Sequence, residues 1–182
     1  MVIDSTGSTG ALTLSNAGTI NGSVNLGNAA NTVTLVTGGN LTGNLNLGSK
    51  PASTLVLDGP DQQALSQAVT ASISNSGSLT KQGTGTWIID EYLTAPVSTS
   101  VNSGILTVNQ TLDTGNLTVA TGATLNGGGT THIAAGGTVV NSGTISGLSG
   151  LELDPGGTVT NNAGGQSKGA LPPQFNGPTM EA

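Results

Sequence analysis

The side chains of this sequence that carry chemistry are few and scattered. Carboxylates lie close together at Asp58 and Asp61 and again at Asp90 and Glu91. Two carboxyls flanking a sugar are the equipment of glycoside hydrolysis. Neighbours in a strand point to opposite faces, so Asp90 and Glu91 read as a solvated pair rather than a catalytic one. His132 is the single histidine and sits in Thr130-Thr-His-Ile-Ala-Ala135. A Ser-His-Asp triad around it lacks the strained Gly-x-Ser-x-Gly turn that presents a nucleophile, and the expectation is an exposed strand histidine. One histidine without cysteine does not equip a transition-metal site, and the calcium-binding Gly-Gly-x-Gly-x-Asp nonapeptide is not repeated. No catalytic residue, metal or cofactor is therefore assigned. Trp87 and Tyr92 are the candidate binding residues, because indole and phenol rings stack on sugars and anchor protein interfaces.

Positioning such side chains falls to an unusual composition. The 182 residues include 30 glycines, 7% charged residues and 2% aromatics, against about 25% charged in ordinary globular proteins. Any core must be aliphatic, built from Val, Leu, Ile and Ala. The remainder is chiefly Thr, Ser, Asn and Gly, a vocabulary of strands and turns that predicts an all-β fold. Nine acidic residues against three lysines give a net charge of −6. Phosphate neutralisation needs clustered Lys or Arg, so nucleic acid is excluded as a partner, and no basic patch is available for anionic lipid. Absence of cysteine removes disulfides and thiolate metal sites and fits a chain that crosses an oxidising compartment before folding. The first residues, Met1-Val-Ile-Asp-Ser-Thr-Gly, do not read as a signal peptide, and no window approaches the ~20 apolar residues of a membrane span. An export signal is expected outside these residues.

Self-similarity at a fixed period organises the chain. Gly18-Thr-Ile-Asn-Gly-Ser-Val-Asn-Leu-Gly27 is followed 21 positions later by Gly39-Asn-Leu-Thr-Gly-Asn-Leu-Asn-Leu-Gly48, which aligns Ile20 with Leu41, Val24 with Leu45 and Leu26 with Leu47. Later, Thr118-Val119, Thr138-Val139 and Thr158-Val159 recur every 20 residues, and Ile105, Leu125 and Ile145 form a second column at that spacing. A period of 20–21 residues suits a parallel β-helix, each coil made of three short strands and stacked at ~4.8 Å. This predicts about eight or nine coils and a stack about 40 Å long. The predicted domain runs over 1–165, with tandem coils at 18–59 and regular coils at 104–165. Residues 60–72 carry Ala64, Leu65, Ala68 and Val69 at helical spacing, and read as either a short helical insertion or an irregular coil with Leu65 and Val69 turned inward. Residues 166–182 lose the period and read as a linker or tail.

Within residues 79–108, Leu79-Thr-Lys-Gln-Gly-Thr-Gly-Thr-Trp-Ile-Ile-Asp90 followed by Asn102-Ser-Gly-Ile-Leu-Thr-Val108 resembles the passenger-associated transport repeat of autotransporters, the type V secretion family. The segment between the two halves, Glu91-Tyr-Leu-Thr-Ala-Pro-Val-Ser-Thr-Ser100, departs from the family's usual linker. The resemblance implies a right-handed parallel β-helix that is pushed through the outer membrane and folds outside the cell, with a C-terminal translocator barrel that this sequence does not contain. It also implies a cell-surface or secreted location. Trp87 falls at an apolar position of the motif, which favours packing over ligand contact. The leading expectation is a non-enzymatic passenger segment for adhesion, with a host surface, a matrix component or the same protein on a neighbouring cell as partner. The alternative is a structural stem that supports export and display of a distal domain. Less favoured are a polysaccharide-active β-helix, for which arginine is absent and the carboxylates are dispersed, and an ice-binding solenoid, for which Thr32-Val-Thr34 and Thr84-Gly-Thr86 share no period.

Overall fold

A computed structural model describes residues 3–48, 53–65, 77–95, 97–169 and 174–175. Among them there is no helix, and every strand pairing is parallel. Parallel pairing between successive short strands forces each to return in the same direction one coil later, so the chain winds as a β-solenoid of about eight turns.

Strand β1 (Ile3–Asp4) precedes the first full coil, which consists of β2 (Thr13–Asn16), β3 (Thr19–Ile20) and β4 (Val24–Asn25). Coil 2 is β5 (Thr32–Val36), β6 (Asn40–Leu41) and β7 (Leu45–Asn46), and coil 3 holds β8 (Thr54–Asp58) and β9 (Gln62–Ala64). Coil 4 is β10 (Ser78–Lys81), β11 (Thr86–Ile89) and β12 (Leu93–Ala95); coil 5 is β13 (Ser98–Val101), β14 (Ile105–Val108) and β15 (Thr111–Thr114). Coil 6 is β16 (Leu117–Val119), β17 (Thr124–Asn126) and β18 (Thr130–Ile133); coil 7 is β19 (Thr138–Asn141), β20 (Thr144–Ser146) and β21 (Gly150–Leu153). Coil 8 is β22 (Thr158–Asn161), β23 (Gln166–Lys168) and β24 (Gln174–Phe175).

The first strand of each coil joins one eight-stranded sheet from β2 to β22, which we term the first face. The other two faces change partners at coil 3. The second is a β3–β6 pair, then a six-stranded sheet from β9 to β23; the third is β1–β4–β7, then a five-stranded sheet from β12 to β24.

Alternation along the strands sends one set of side chains inward, where they stack as columns. On the first face Leu14, Val33, Leu55, Leu79, Thr99, Leu117 and Val139 follow one another in register, and Val159 continues the column on coil 8, where it is exposed. The second face stacks Trp87, Leu106, Leu125 and Ile145, and the third Leu93, Leu112, Thr131 and Leu151. Leu55, Leu106, Leu112, Leu117 and Leu125 are wholly buried. Burying each such side chain contributes about 1.5–3 kcal/mol, and this aliphatic filling replaces the aromatic core that the composition rules out.

The 21-residue columns of the first two coils are confirmed, with Ile20 opposite Leu41 and Val24 opposite Leu45. Two later columns are confirmed in part, with Leu125 opposite Ile145 and Val139 opposite Val159, and otherwise corrected. Leu106, not Ile105, stands opposite Leu125, and Ile105 lies on the outer side, half-buried. Both residues are apolar and adjacent, so composition could not tell which one faced inward, and a one-residue slip exchanges the two faces. Val119 stands opposite Asn141 and Leu117 opposite Val139, a step of 22 in place of 20. An even shift keeps the same side chains inside, which is why the apparent column survived the wrong register. Steps run from 18, Thr99 to Leu117, to 24, Leu55 to Leu79.

Of the segment 60–72, Gln62–Ala64 forms β9 beside β11, and Leu65 is buried; residues 66–76, including Ala68 and Val69, lie outside the described residues. Stacking also continues past residue 165. β23 pairs with β20 and β24 with β21, so these parts of the expected tail are coil 8. Their backbone adds to an existing edge, which needs no apolar period in the sequence.

Candidate functional site

Trp87 is 1% exposed, and its Nε1 donates to the Asp58 carbonyl on the preceding coil at 2.8 Å. An enclosed ring presents no face to a sugar or partner, so the binding role expected of Trp87 is withdrawn. The reason is its place in β11: the alternating burial of Thr86–Ile89 turns Trp87 and Ile89 inward. A small cleft lined by Asn40, Leu41, Gln63, Leu65 and Trp87 lies where β6 and β9 fail to pair, but the tryptophan forms its floor and not a platform. Tyr92 differs. It is 58% exposed, just before β12, and its hydroxyl donates to Asp113.

Lys81, Gln82, Gly83 and Ser103 of the transport-repeat-like motif form a polar knot at the first face together with Asp58 and Gly59 of the preceding coil. Lys81 occupies an inward position between Leu57 and Val101 and is fully buried. Its Nζ donates to the carbonyls of Gln82 at 2.6 Å, Gly83 at 2.9 Å and, one coil on, Ser103 at 3.2 Å. An ammonium has three donors, and here each meets a carbonyl. Burial pulls its pKa below the usual lysine value, opposed by the charge of Asp58. Gln82 donates to Asp58 Oδ2 at 3.0 Å, the Gly59 amide donates to Oδ1 at 2.7 Å, and Ser103 Oγ donates to the Gly83 carbonyl at 3.1 Å. The hydrogen bonds from Gln82 and Gly59, with the Lys81 charge, hold Asp58 below the ordinary carboxylate range. Coils 3, 4 and 5 are thus tied through Asp58, Lys81, Trp87 and Ser103.

No family model, curated protein or solved structure matches the chain. What the site can do therefore rests on its own geometry.

His132 is half-buried on the outer side of β18. Its Nδ1 is 3.2 Å from Asp113 Oδ1 on coil 5 and its Nε2 is 3.2 Å from Asp154 Oδ1 on coil 7. Burial lowers its pKa, but hydrogen bonds and charge from Asp154 and Asp113 together outweigh this and raise it. Both ring nitrogens face carboxylates, which leaves neither facing a serine as a general base would. The expected exposed strand histidine is thus a bridging one.

One member of each carboxylate pair has a hydrogen-bond partner on a neighbouring coil. Asp58 is an acceptor inside the knot, and Asp90 Oδ1 accepts from Asn109 Nδ2 at 2.7 Å. Asp90 and Glu91 lie at the corner after β11 and not within a strand, so alternation is not what separates them. Among the described residues no group of three or more His, Asp or Glu side chains is placed to hold a metal ion.

Sequence reasoning missed the buried corner asparagines. Asn31 is wholly buried, donating from Nδ2 to Gly27 O at 2.7 Å and Leu47 O at 3.0 Å and accepting from the Leu12 amide at 3.0 Å. Asn141 binds Asn161 Oδ1 at 2.8 Å and the Gln166 carbonyl at 3.1 Å. In so Asn-rich a chain only spatial register distinguishes these from exposed turn residues.

Proposed function

We propose that this chain is a non-enzymatic stem segment of a secreted bacterial autotransporter passenger, displayed at the cell surface, which supports export and presentation of a distal part. The observation that carries the reading is the knot of Asp58, Lys81, Trp87 and Ser103, because it accounts physically for the residues that resemble the transport repeat. A solenoid adds one coil at a time, and each coil is stabilised mainly by its neighbour. A segment with three coils tied together gives such growth a firm starting block. Polar outer columns of Thr, Ser and Asn suit a spacer exposed to water.

The adhesion reading rests on Tyr92, an exposed aromatic ring just before β12, and takes a host surface, matrix component or another copy as partner. It loses its second anchor with Trp87 inside. The test places the chain between a translocator barrel and a distal reporter on a Gram-negative cell. Removal of residues 77–169 should sharply reduce surface display of the reporter while the reporter's own affinity is unchanged; undiminished display would overturn the stem reading. Saturable binding of the purified chain to cells or matrix, abolished by Tyr92→Ala in a folded protein, would establish adhesion instead.

A further inference from the structure

We propose that Asp113, His132 and Asp154 form a protonation-dependent clasp on the outer third face, holding coils 5, 6 and 7 together when the histidine is charged and releasing one of its two ties when it is neutral. The geometry comes first. Asp113 belongs to β15, His132 to the middle of β18, and Asp154 follows β21, so the ring stands between carboxylates from the coil before and the coil after. An imidazolium donates from both nitrogens and neutral imidazole from only one. Deprotonation therefore removes the histidine's donated proton from one of the two carboxylates. Asp113 is further held from coil 4 by the Tyr92 hydroxyl, which extends the line of contacts over four coils.

The groups facing His132 are acidic from both sides. Besides Asp113 and Asp154, Glu152 of β21 is its register partner. The described lysines lie elsewhere, Lys81 inside the first face and Lys168 on β23 of the second. Neither of these described lysines competes with the imidazolium. The direction of the effect follows. A histidine whose folded pKa is raised above its unfolded value of about 6.5 contributes stability that is complete below that value and is lost as pH rises through the folded pKa. The clasp is tight in mild acid and loose in mild alkali.

Because His132 is the sole histidine, its ring proton signals can be followed by NMR in the intact chain without ambiguity. The titration midpoint should lie above about 6.5, and Asp113→Asn and Asp154→Asn should each lower it. Thermal midpoints supply a second readout. His132→Gln should lower the midpoint by about 2 °C at pH 5.5 and leave it unchanged at pH 8.5. A midpoint at or below about 6.5 in the native chain, or a His132→Gln deficit that does not vary with pH, would overturn the proposal.

Discussion

Coils 1 and 2 and coils 4 to 7 solve the same stacking problem in different ways. In the first pair, two of the three faces use strands of only two residues, β3, β4, β6 and β7, and the corners do the stacking. Backbone meets backbone there. A Cβ built on Gly43 would lie 2.4 Å from the Gly22 carbonyl carbon, and one on Gly48 would lie 2.3 Å from the Gly27 carbonyl oxygen. In coils 4 to 7 the strands run to three or four residues, and ladder bonds and side-chain columns carry the contact. The difference bears on the sequence period. On the second and third faces of coils 1 and 2, where two-residue strands leave the corners to stack, the step is 21 residues, while the first face steps by 19; in coils 4 to 7 the steps run between 18 and 22, with close glycine contacts kept at single corners such as Gly104, Gly127 and Gly129.

The sharpest way to break this contrast is at Gly43. A valine there must displace the Gly22 and Ser23 backbone, and the expected loss is more than about 3 kcal/mol in urea unfolding. Gly18→Ala, in the same repeat but with nothing within 4 Å of its Cβ, should stay within about 0.5 kcal/mol. Equal losses at both positions would mean that glycine content, not corner stacking, sets the register.

A smaller effect is expected in the other region, at Lys81. Replacing buried ions by apolar residues is often harmless when both partners go, but here the partners are backbone carbonyls that no substitution removes. Lys81→Met would leave the carbonyls of Gln82 and Ser103 without the donor they share, at a cost of about 2 kcal/mol. The loss should appear as reduced amide-exchange protection across coils 3 to 5, with coils 1 and 2 unaffected. Protection lost evenly along the solenoid would show that the knot is no local device.

Much of this architecture was legible in the residues. The 21-residue block repeat predicted the right partners on the second and third faces of coils 1 and 2, because there the sequence itself repeats; the first face steps by 19 and lay outside it. Coils 5 to 8 were legible in register only in part: Leu125 with Ile145 and Val139 with Val159 are true partners, but Ile105 and Leu106 are chemically alike, and the 22-residue step at Val119 to Asn141 hid behind the 20-residue spacing. The site was harder still. A lysine reads as solvated in any composition argument, since charged residues are almost never fully buried without partners, and its carbonyl partners leave no side-chain signature. His132, Asp113 and Asp154 are separated by 19 and 22 residues, near one coil, yet the chain holds too few charged residues for such a spacing to stand out.

The smallest expected effect, at Gly128, is one that composition could never anticipate. Asn126 is followed by three consecutive glycines, identical in chemistry and different in duty. Gly127 has a φ of 127° and a Cβ there would lie 2.0 Å from the Val108 carbonyl oxygen; one on Gly129 would lie 1.9 Å from the Gln110 carbonyl oxygen. Gly128, between them, has open space and no left-handed backbone. Gly128→Ala removes freedom from the unfolded chain without a clash in the folded one, which stabilises by about 0.4–1 kcal/mol. Gly129→Ala, one residue on, must push the preceding coil aside and should destabilise by about 2 kcal/mol or more. Opposite signs at adjacent glycines in urea unfolding would show that corner stacking persists into coil 6 at single positions. Two losses would mean that Gly128 is confined like its neighbours, and that the variable steps of the later coils are accommodated elsewhere.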